Sequence, residues 1–317
     1  MYFTTSPQQS DPETDRLVGL LGEIRDGSRS AALVGQFSDL DRRAVVRVAP
    51  AWRSLPVLAR RYVVRTMVEM AEANVELNFW RLLRIAMADP DAEVRALAIA
   101  GLWEDDSTPV LDEILARIGT EQESAVREAM VVSLGRFNYR AAVEELDETR
   151  AEAIRNALFD VLRSAEPLGI RRRALESLAY LLDDREVTDA IAEAFDSPYH
   201  EMRVSALFSM GRNLDRRWLP AVLEALESED AEFRYEAAKA SGEYGDSQAV
   251  DPLLTLIDDE DREVQLAAVD ALGQIGSLTA LNALRRLARG DDDVMRDAAT
   301  ESLAQATSDT DPFRPRL

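Results

Sequence analysis

Residues 261–276 read DREVQLAAVDALGQIG, and residues 230–245 read DAEFRYEAAKASGEYG. The two stretches align residue for residue at a separation of 31 positions. In each, apolar or small residues recur every three or four positions, which indicates an amphipathic α-helix. Similarity at a fixed period of this size is typical of repeat architectures, in which each unit packs mainly against its neighbours. The repeated stretch therefore predicts the fold.

The same pattern occurs eight times along the chain. It is an apolar residue, usually followed by arginine, with further small and apolar residues on one helical face. The copies begin at Ala59, Val94, Val126, Ile170, Met202, Phe233, Val264 and Met295. A second amphipathic stretch, such as SQAVDPLLTLI, lies between copies, so the unit is a pair of helices. One hairpin cannot bury its own apolar face, and stacking of hairpins buries a continuous core.

The eight copies resemble HEAT repeats, in particular the short HEAT-like repeats of bacterial phycobilisome lyases. The resemblance covers residues 56–305 and implies an all-α, right-handed α-solenoid of about eight helical hairpins. In this family the repeated arginine often contacts an acidic residue of the adjacent turn. The resemblance therefore implies a structural role for Arg95, Arg127, Arg171, Arg203, Arg234 and Arg296. Gln265 departs from this pattern.

The residue inventory gives no sign of catalytic chemistry. The chain has no cysteine, which excludes disulfides, thiolate nucleophiles and Cys/His zinc sites. Its single histidine, His200, precedes an expected helix and is assigned a capping role. The acidic runs at 258–261 and 291–293 lack the spacing of a calcium loop and fit helix N-caps. We predict no catalytic residue, no cofactor, no metal site and no enzymatic activity.

Charge is unevenly distributed along the chain. The 317 residues carry a net charge of −22, which disfavours nucleic acid and anionic membranes as partners. Residues 41–66, however, hold seven arginines and one aspartate, a local charge of +6. Arg60 and Arg61 in this segment are candidate contacts for an acidic partner. Binding of nucleic acid through this basic N-terminal face remains an alternative function.

The domain organisation follows from the limits of the repeats. We predict a disordered tail at 1–12, capping helices with the basic segment at 13–55, the solenoid at 56–305 and a polar tail at 306–317. The second capping helix is expected to be interrupted near Pro50. The interval from Val126 to Ile170 is 44 residues, and its extra material near 137–155 is expected to lengthen a turn or the following helix. We expect this insertion either to carry contacts to a partner or to form a solvent-exposed extended helix.

The N-terminus lacks the apolar core of a signal peptide, and no apolar stretch approaches the roughly 20 residues that span a bilayer. We therefore predict a cytoplasmic bacterial protein without membrane contact.

Aromatic and arginine residues are favoured anchors of protein interfaces. Trp80, Arg81, Arg84, Arg217 and Trp218 lie near second helices, which the resemblance places on the concave side, and are candidate partner contacts. Trp103 stands where other copies have glycine and is expected to plug a gap between repeats. The leading hypothesis is a monomeric, non-catalytic scaffold or assembly factor that binds a protein through its concave surface. The resemblance also leaves open a bilin lyase-like or chaperone-like enzyme.

Overall fold

The structure is a computed structural model that describes residues 12–143 and 145–309. Within these residues every regular element is a helix and no strand occurs. The first helix begins at Pro12 and the last ends at Asp309, so the remainder of the two expected tails, residues 1–11 and 310–317, lies outside the described residues. No helix in the described part is long and apolar enough to cross a bilayer.

The chain divides into two compact units, Met1–Phe137 (unit 1) and Asn138–Leu317 (unit 2). The helices of unit 1 are α1 (Pro12–Arg25), α2 (Ala31–Gly35), α3 (Arg42–Arg53), α4 (Val57–Ala73), α5 (Trp80–Ala86), α6 (Ala92–Ala100) and α7 (Thr108–Ile118). The next helix, α8 (Ser124–Ala142), contains the boundary. The helices of unit 2 are α9 (Glu148–Arg163), α10 (Leu168–Leu178), α11 (Arg185–Phe195), α12 (His200–Asn213), α13 (Leu219–Ala225), α14 (Ala231–Tyr244), α15 (Val250–Leu256), α16 (Arg262–Ile275), α17 (Leu278–Leu287) and α18 (Asp293–Asp309).

Each of the eight pattern starts lies in a helix of its own. These first helices are α4, α6, α8, α10, α12, α14, α16 and α18. The second helices between them are α5, α7, α9, α11, α13, α15 and α17. The prediction of an all-α solenoid of helical hairpins is confirmed, because the period seen in the sequence is the period of the helix pairs.

Aspartates begin many of the helices. Asp91, for example, accepts a hydrogen bond from the Val94 backbone N–H and begins α6, and Asp261 does the same for Glu263 in α16. Such a cap satisfies a backbone donor that the helix itself leaves unpaired. The acidic runs therefore supply N-caps, and the described residues contain no cluster of three potential metal ligands.

In unit 2 the first helices pack against one another at close range. A Cβ atom placed on Gly211 of α12 would lie 2.9 Å from the Cα of Ala240 in α14, and one on Gly273 would lie 2.8 Å from the Cβ of Ser302. The second helices of this unit contact one another far less. A stack curves toward its more closely packed layer, so the first helices form the inner layer of unit 2. This reverses the expectation that second helices line the concave side.

The insertion lengthens two helices. α8 has 19 residues, whereas the first helices α12, α14 and α16 have 14 each, and α9 has 16, whereas the second helices α11 and α17 have 11 and 10. The prediction of a longer following helix is confirmed, and the added length of α8 was not expected. Its extra turn packs on α10, since the Asn138 side chain donates to the Ser177 carbonyl at 2.9 Å and the Tyr139 ring meets Tyr180 edge-on at 5.5 Å.

The expected interruption at Pro50 is wrong. α3 continues through Pro50 to Arg53. Proline in the last turn removes only one backbone donor, and Pro50 is exposed, so the helix tolerates it. The buried side of this region contains Trp52 and Phe37, both almost fully enclosed.

Candidate protein-binding surface

Two of the repeated arginines form part-buried ion pairs with the next turn. Arg95 donates two hydrogen bonds to Glu121, at 2.8 and 3.0 Å, and Arg234 donates two to Asp259, at 2.7 and 2.8 Å. The Arg234 guanidinium holds the pKa of Asp259 below its usual range. Gln265, the exception in the sequence, donates from its amide to the Asp259 backbone carbonyl at 2.6 Å. Polar contacts at this position therefore continue through the glutamine copy.

The remaining four repeated arginines bind backbone carbonyl oxygens of neighbouring turns or stack on an aromatic ring. Arg127 donates to the Glu121 carbonyl at 2.9 Å, Arg171 to the Leu162 carbonyl at 2.8 Å and Arg296 to the Gly290 carbonyl at 3.5 Å, while Arg203 stacks 5.5 Å from the Phe233 ring centre. The residue after the pattern start therefore makes a polar or aromatic contact in every copy. Its partners include carboxylates, backbone carbonyl oxygens and the Phe233 ring.

Arg60 belongs to this structural set and not to a binding face. It follows the pattern start Ala59, so it occupies the same repeat position as Arg95 and Arg234. Only 8% of the residue is exposed, and its guanidinium donates to Asp89 at 3.1 Å. The prediction that Arg60 contacts a partner is therefore corrected. The repeat register was the signal that could have identified its role.

The basic segment is largely neutralised within the protein. Arg61 donates to both oxygens of Asp91, the N-cap of α6, and lowers the pKa of that carboxyl. Arg47 pairs with Asp15 at 2.7 Å, and Arg65 pairs with Glu93 at 2.6 Å. With Arg60, four of the seven arginines are paired. The others, exposed on α3 with no ion pair within the described residues, are Arg42, Arg43 and Arg53.

His200 connects two repeats. It is the first residue of α12, and its Nε2 lies 2.6 Å from Oδ2 of Asp230, the N-cap of α14. Burial opposes ionisation of Asp230, but the hydrogen bonds from His200 and from the Glu232 and Phe233 backbone, with the attraction of His200, together leave the pKa of the carboxyl below its usual value. Arg262 makes the same link to Asp292, at 2.6 Å. The capping role expected of His200 is corrected, since it contacts the cap of the following repeat.

The two predicted tryptophan–arginine pairs lie in different units. In unit 1 the Arg81 guanidinium stacks 4.2 Å from the Trp80 ring and donates to the Leu40 carbonyl at 2.6 Å, while Arg84 lies 5.8 Å from the same ring. In unit 2 Arg217 pairs with Asp215 at 2.7 Å and lies 5.8 Å from the Trp218 ring. Trp80 and Arg84 border a cavity, described next.

Unit 1 presents an apolar cavity of about 420 Å³ between α6 and α8. Its walls are almost entirely hydrophobic and include Leu97, Ala100, Ala129 and Val132. Val132 is 53% exposed, and Trp103 at the edge is 47% exposed. Large apolar side chains left open to water at a concave surface are characteristic of binding sites.

A second cavity of about 420 Å³ shares Trp103 with the first. Trp80, Arg84 and Arg42 line it together with the turn that follows α6. In that turn Asp105 Oδ2 and the Ser107 hydroxyl are buried without a hydrogen-bond partner. We call the two cavities together the Trp103 groove. Buried polar atoms usually have a hydrogen-bond partner, and a water molecule or a polar group of a ligand would satisfy these two.

Trp103 occupies a glycine position of the repeat, but it does not fill a gap between repeats as expected. α6 ends at Ala100, whereas α12, α14 and α16 run past their equivalent glycines. Trp103 therefore lies in a turn, half exposed, and does not plug a gap between helices. Arg136 of α8 fixes this turn by donating to the Leu102 carbonyl at 2.9 Å and the Asp105 carbonyl at 3.3 Å.

Charged side chains border the groove at both ends. Arg42 and Arg84 line the cavity that contains Trp80, and Glu128 lines the apolar cavity. Glu104 lies beside Trp103. No ion pair to Glu104 or Glu128 occurs within the described residues. The apolar cavity therefore has one carboxylate and one guanidinium in its lining, Glu128 and Arg136, and the second cavity has both cations and carboxylates.

The sequence matches the family model for HEAT repeats over residues 81–153 and 219–304, half of its length. The chain belongs to the HEAT repeat family. HEAT-repeat hairpins account for the ion pairs that join residues about one repeat apart. Among curated proteins, none matches this sequence.

Solved structures with a similar fold include other helical repeat proteins. Yeast importin-β aligns over 92% of this HEAT-repeat chain and 46% of its own, with 12% identity and a TM-score of 0.55. The complex of CpcE and CpcF of phycocyanin lyase from Nostoc aligns over 72% of this chain and 94% of that chain, with 17% identity and a TM-score of 0.49. Escherichia coli YibA aligns over 96% and 99%, with 14% identity and a TM-score of 0.46. At these identities the similarity extends to the fold alone.

Proposed function

We propose that this HEAT-repeat protein is a non-catalytic scaffold or assembly factor, and that it binds a protein partner through the Trp103 groove. The observation that carries the proposal is the half-exposed Trp103 between two cavities of about 420 Å³ each. Tryptophan in a water-excluding apolar setting is the side chain most often found at the energetic centre of protein interfaces.

The surrounding residues favour a protein over a small substrate. The groove is open and combines an apolar wall with polar groups at its border, which is the composition of an interface core and rim. The single histidine is engaged with Asp230 in linking two repeats. Its engagement there supports a non-catalytic role.

The charge arrangement supports a protein rather than nucleic acid. Arg47, Arg60, Arg61 and Arg65 are each paired with a carboxylate of the protein. A nucleic-acid face needs cations that are free to replace the counterions of phosphates. The basic segment offers far fewer of these than its sequence suggested.

The test is quantitative capture of partners from lysate by the full-length chain, with nuclease treatment, followed by titration of the captured protein. Trp103→Ala and Val132→Glu should each weaken binding about tenfold or more, because they remove an anchor or place a charge in the apolar cavity. Leu278→Ala is the matched control, since Leu278 is an apolar residue of unit 2 with 74% exposure. It should bind like the wild type.

Circular dichroism would verify that the variants keep the helical content of the wild type. A partner that binds all variants equally would place the interface elsewhere and overturn the proposed site. Recovery of nucleic acid that is lost on nuclease treatment would overturn the proposed function.

A further inference from the structure

One face of α3 carries three arginines that the described part of the chain does not neutralise. Arg42, Arg43 and Arg53 are exposed, and none of them has an ion pair within the described residues. The four other arginines of residues 41–66 are each paired with a carboxylate. Aspartate and glutamate outnumber arginine and lysine by 59 to 37 in this chain. These three arginines are therefore unpaired although carboxylates are abundant.

The three arginines share one face of α3 with two apolar residues. The residues of this face, which we call the α3 basic face, are Arg42, Arg43, Val46, Pro50 and Arg53. At 3.6 residues per turn they fall within about 100° of the helix circumference. Val46 is 71% exposed, whereas Val48 and Trp52 on the opposite side of the helix are almost fully buried. The buried side fixes α3 in unit 1 and leaves the α3 basic face open to water.

The α3 basic face adds little to the stability of the helix. Arg42 and Arg43 lie in the first turn, which contains no acidic side chain. The positive end of the helix dipole disfavours cations at that position, and the two guanidinium groups also repel each other. The exposed Val46 side chain gains little from folding, because most of it stays in water. A binding partner explains this combination of residues better than folding does.

The mixture of charge and apolar surface favours an acidic protein segment over a phosphate polymer. Arg53 lies 11 residues after Arg42, about 17 Å along the helix axis, and Val46 and Pro50 lie between them. Carboxylates of a protein segment pair with guanidinium groups at both ends while apolar side chains cover the middle. A nucleic acid would place phosphates against the apolar residues, and the α3 basic face has no aromatic ring on which a base would stack.

We propose that the α3 basic face is a docking surface for an acidic, amphipathic helical segment of a partner protein. Carboxylates of that segment pair with Arg42 and Arg43 at one end and with Arg53 at the other. Its apolar side chains cover Val46 and Pro50. The partner segment therefore has acidic residues about three turns apart, with apolar residues between them on the same helical face.

The inference goes beyond the proposed function, because it assigns a second surface with a different chemistry. Arg42 also lines the second cavity of the Trp103 groove, so the two surfaces adjoin. Arg43 and Arg53 line neither cavity of the groove. Substitutions at these two arginines therefore test the α3 basic face alone.

The experiment measures binding of a fluorescent synthetic peptide to the full-length chain by anisotropy. The peptide is an α-helix former with glutamates at both ends of a leucine stripe, and a second peptide has the same composition in scrambled order. Arg43→Glu combined with Arg53→Glu should weaken binding of the first peptide about tenfold or more, because two attractive charges become repulsive. Val46→Ser should weaken it about threefold, because apolar contact area is lost.

Arg286→Glu combined with Arg289→Glu is the matched control. Both arginines are exposed at the end of α17 in unit 2, and neither has an ion pair within the described residues. This double variant changes the net charge by the same amount, so it measures the loss of long-range attraction alone. It should weaken peptide binding less than about threefold. Circular dichroism verifies that each variant keeps the helical content of the wild type.

A single-stranded DNA oligonucleotide separates the acidic peptide from a phosphate ligand. The oligonucleotide should bind more weakly than the peptide, and increasing salt should abolish its binding first. An oligonucleotide that binds more tightly than the peptide, and loses this binding on Arg43→Glu with Arg53→Glu, would overturn the inference. Equal binding of the scrambled peptide, or equal losses in the two double variants, would also overturn it.

The two proposals fail separately. No binding of the acidic peptide, together with loss of a partner protein on Trp103→Ala, would overturn only this inference. Peptide binding that is lost on Arg43→Glu with Arg53→Glu, together with a partner protein that binds Trp103→Ala and the wild type equally, would overturn only the proposed site.

Discussion

The two units use the same helical repeat, but α6 and α8 of unit 1 differ in surface chemistry from several first helices of unit 2. The compared positions lie three and six residues after each pattern start, on the first helices. In α6 and α8 of unit 1 they are apolar, namely Leu97, Ala100, Ala129 and Val132, whereas α4 of the same unit has Tyr62 and Arg65 there. In unit 2 several are charged: Glu236 and Lys239 in α14, Asp270 in α16 and Glu301 in α18.

The positions of the first helices that face the neighbouring repeat are small and buried in both units. Ala98 of α6 and Ala268 of α16, four residues after their pattern starts, are both fully buried. Stacking therefore constrains one side of each first helix in both units, while the open side varies. Since each repeat is stabilised by its neighbours, the open side can change in chemistry at little cost to the fold.

The largest expected effect tests the positions that the units share. Ala98→Asp and Ala268→Asp should each destabilise the protein by more than about 3 kcal/mol, because each places an unpaired charge between packed helices. Thermal unfolding followed by circular dichroism measures the loss. Hydrogen exchange should show the greatest loss of protection in the unit that carries the substitution.

Thr279→Asp serves as the control for this pair, since Thr279 is exposed at the start of α17. It should leave stability almost unchanged. A loss below about 1 kcal/mol for either buried alanine would show that the stacking side of that unit has been assigned to the wrong residues.

A smaller effect tests the glycine position, where Trp103 follows α6 of unit 1 and Gly211 lies in α12 of unit 2. Gly211→Leu should cost about 1–3 kcal/mol or more, because its Cβ would lie 2.9 Å from the backbone of Ala240 and force the helices apart. Trp103→Gly, nine residues after its own pattern start, should cost less than about 1 kcal/mol, since the ring is half exposed. Chemical denaturation of both variants measures the difference. Similar losses would mean that Trp103 does fill a gap between repeats.

The smallest effect tests the charged face of unit 2. Burial raises the pKa of Glu236, and Glu176 adds to this, while Lys239, Arg172 and Arg212 oppose it. A carboxyl with a raised folded-state pKa is destabilising above that pKa and neutral below its unfolded value. Glu236→Gln should therefore raise the melting temperature at pH 7 by about 2 °C and leave it unchanged near pH 3.

Glu224→Gln, at an exposed carboxylate of α13, is the control and should show no such pH dependence. The same increase in melting temperature at both pH values would show that the amide acts through packing and not through removal of a buried charge.

Most of the correct predictions, namely the helix positions and the arginine contacts, followed from the register of the repeats. Eight helices begin two residues before the eight pattern starts, and Arg95 and Arg234 make the carboxylate contacts that the resemblance implied. The same register places Arg60 with them, because it follows the pattern start Ala59. Its basic neighbours in the sequence suggested a binding role instead. Local charge in the sequence was the misleading signal, because the neutralising carboxylates lie about one repeat away along the chain.

The groove could not be found from the sequence, since it depends on where one helix ends. Trp103 aligns with glycines that lie inside helices, but α6 stops three residues earlier and leaves the tryptophan in a turn. That turn is held by Arg136 from the next first helix. A contact between neighbouring repeats thus decides whether the side chain is buried or exposed.

The sequence by itself determined the helical hairpin, its period and the stacking of its copies, because periodic apolar and small residues act locally and repeat. The tertiary structure decided which charges are neutralised, which layer packs more closely and which tryptophan faces water. Those outcomes depend on side chains about 25–34 residues apart, such as Arg61 with Asp91 and Leu102 with Arg136. Their distances and directions exist only once the helices have packed.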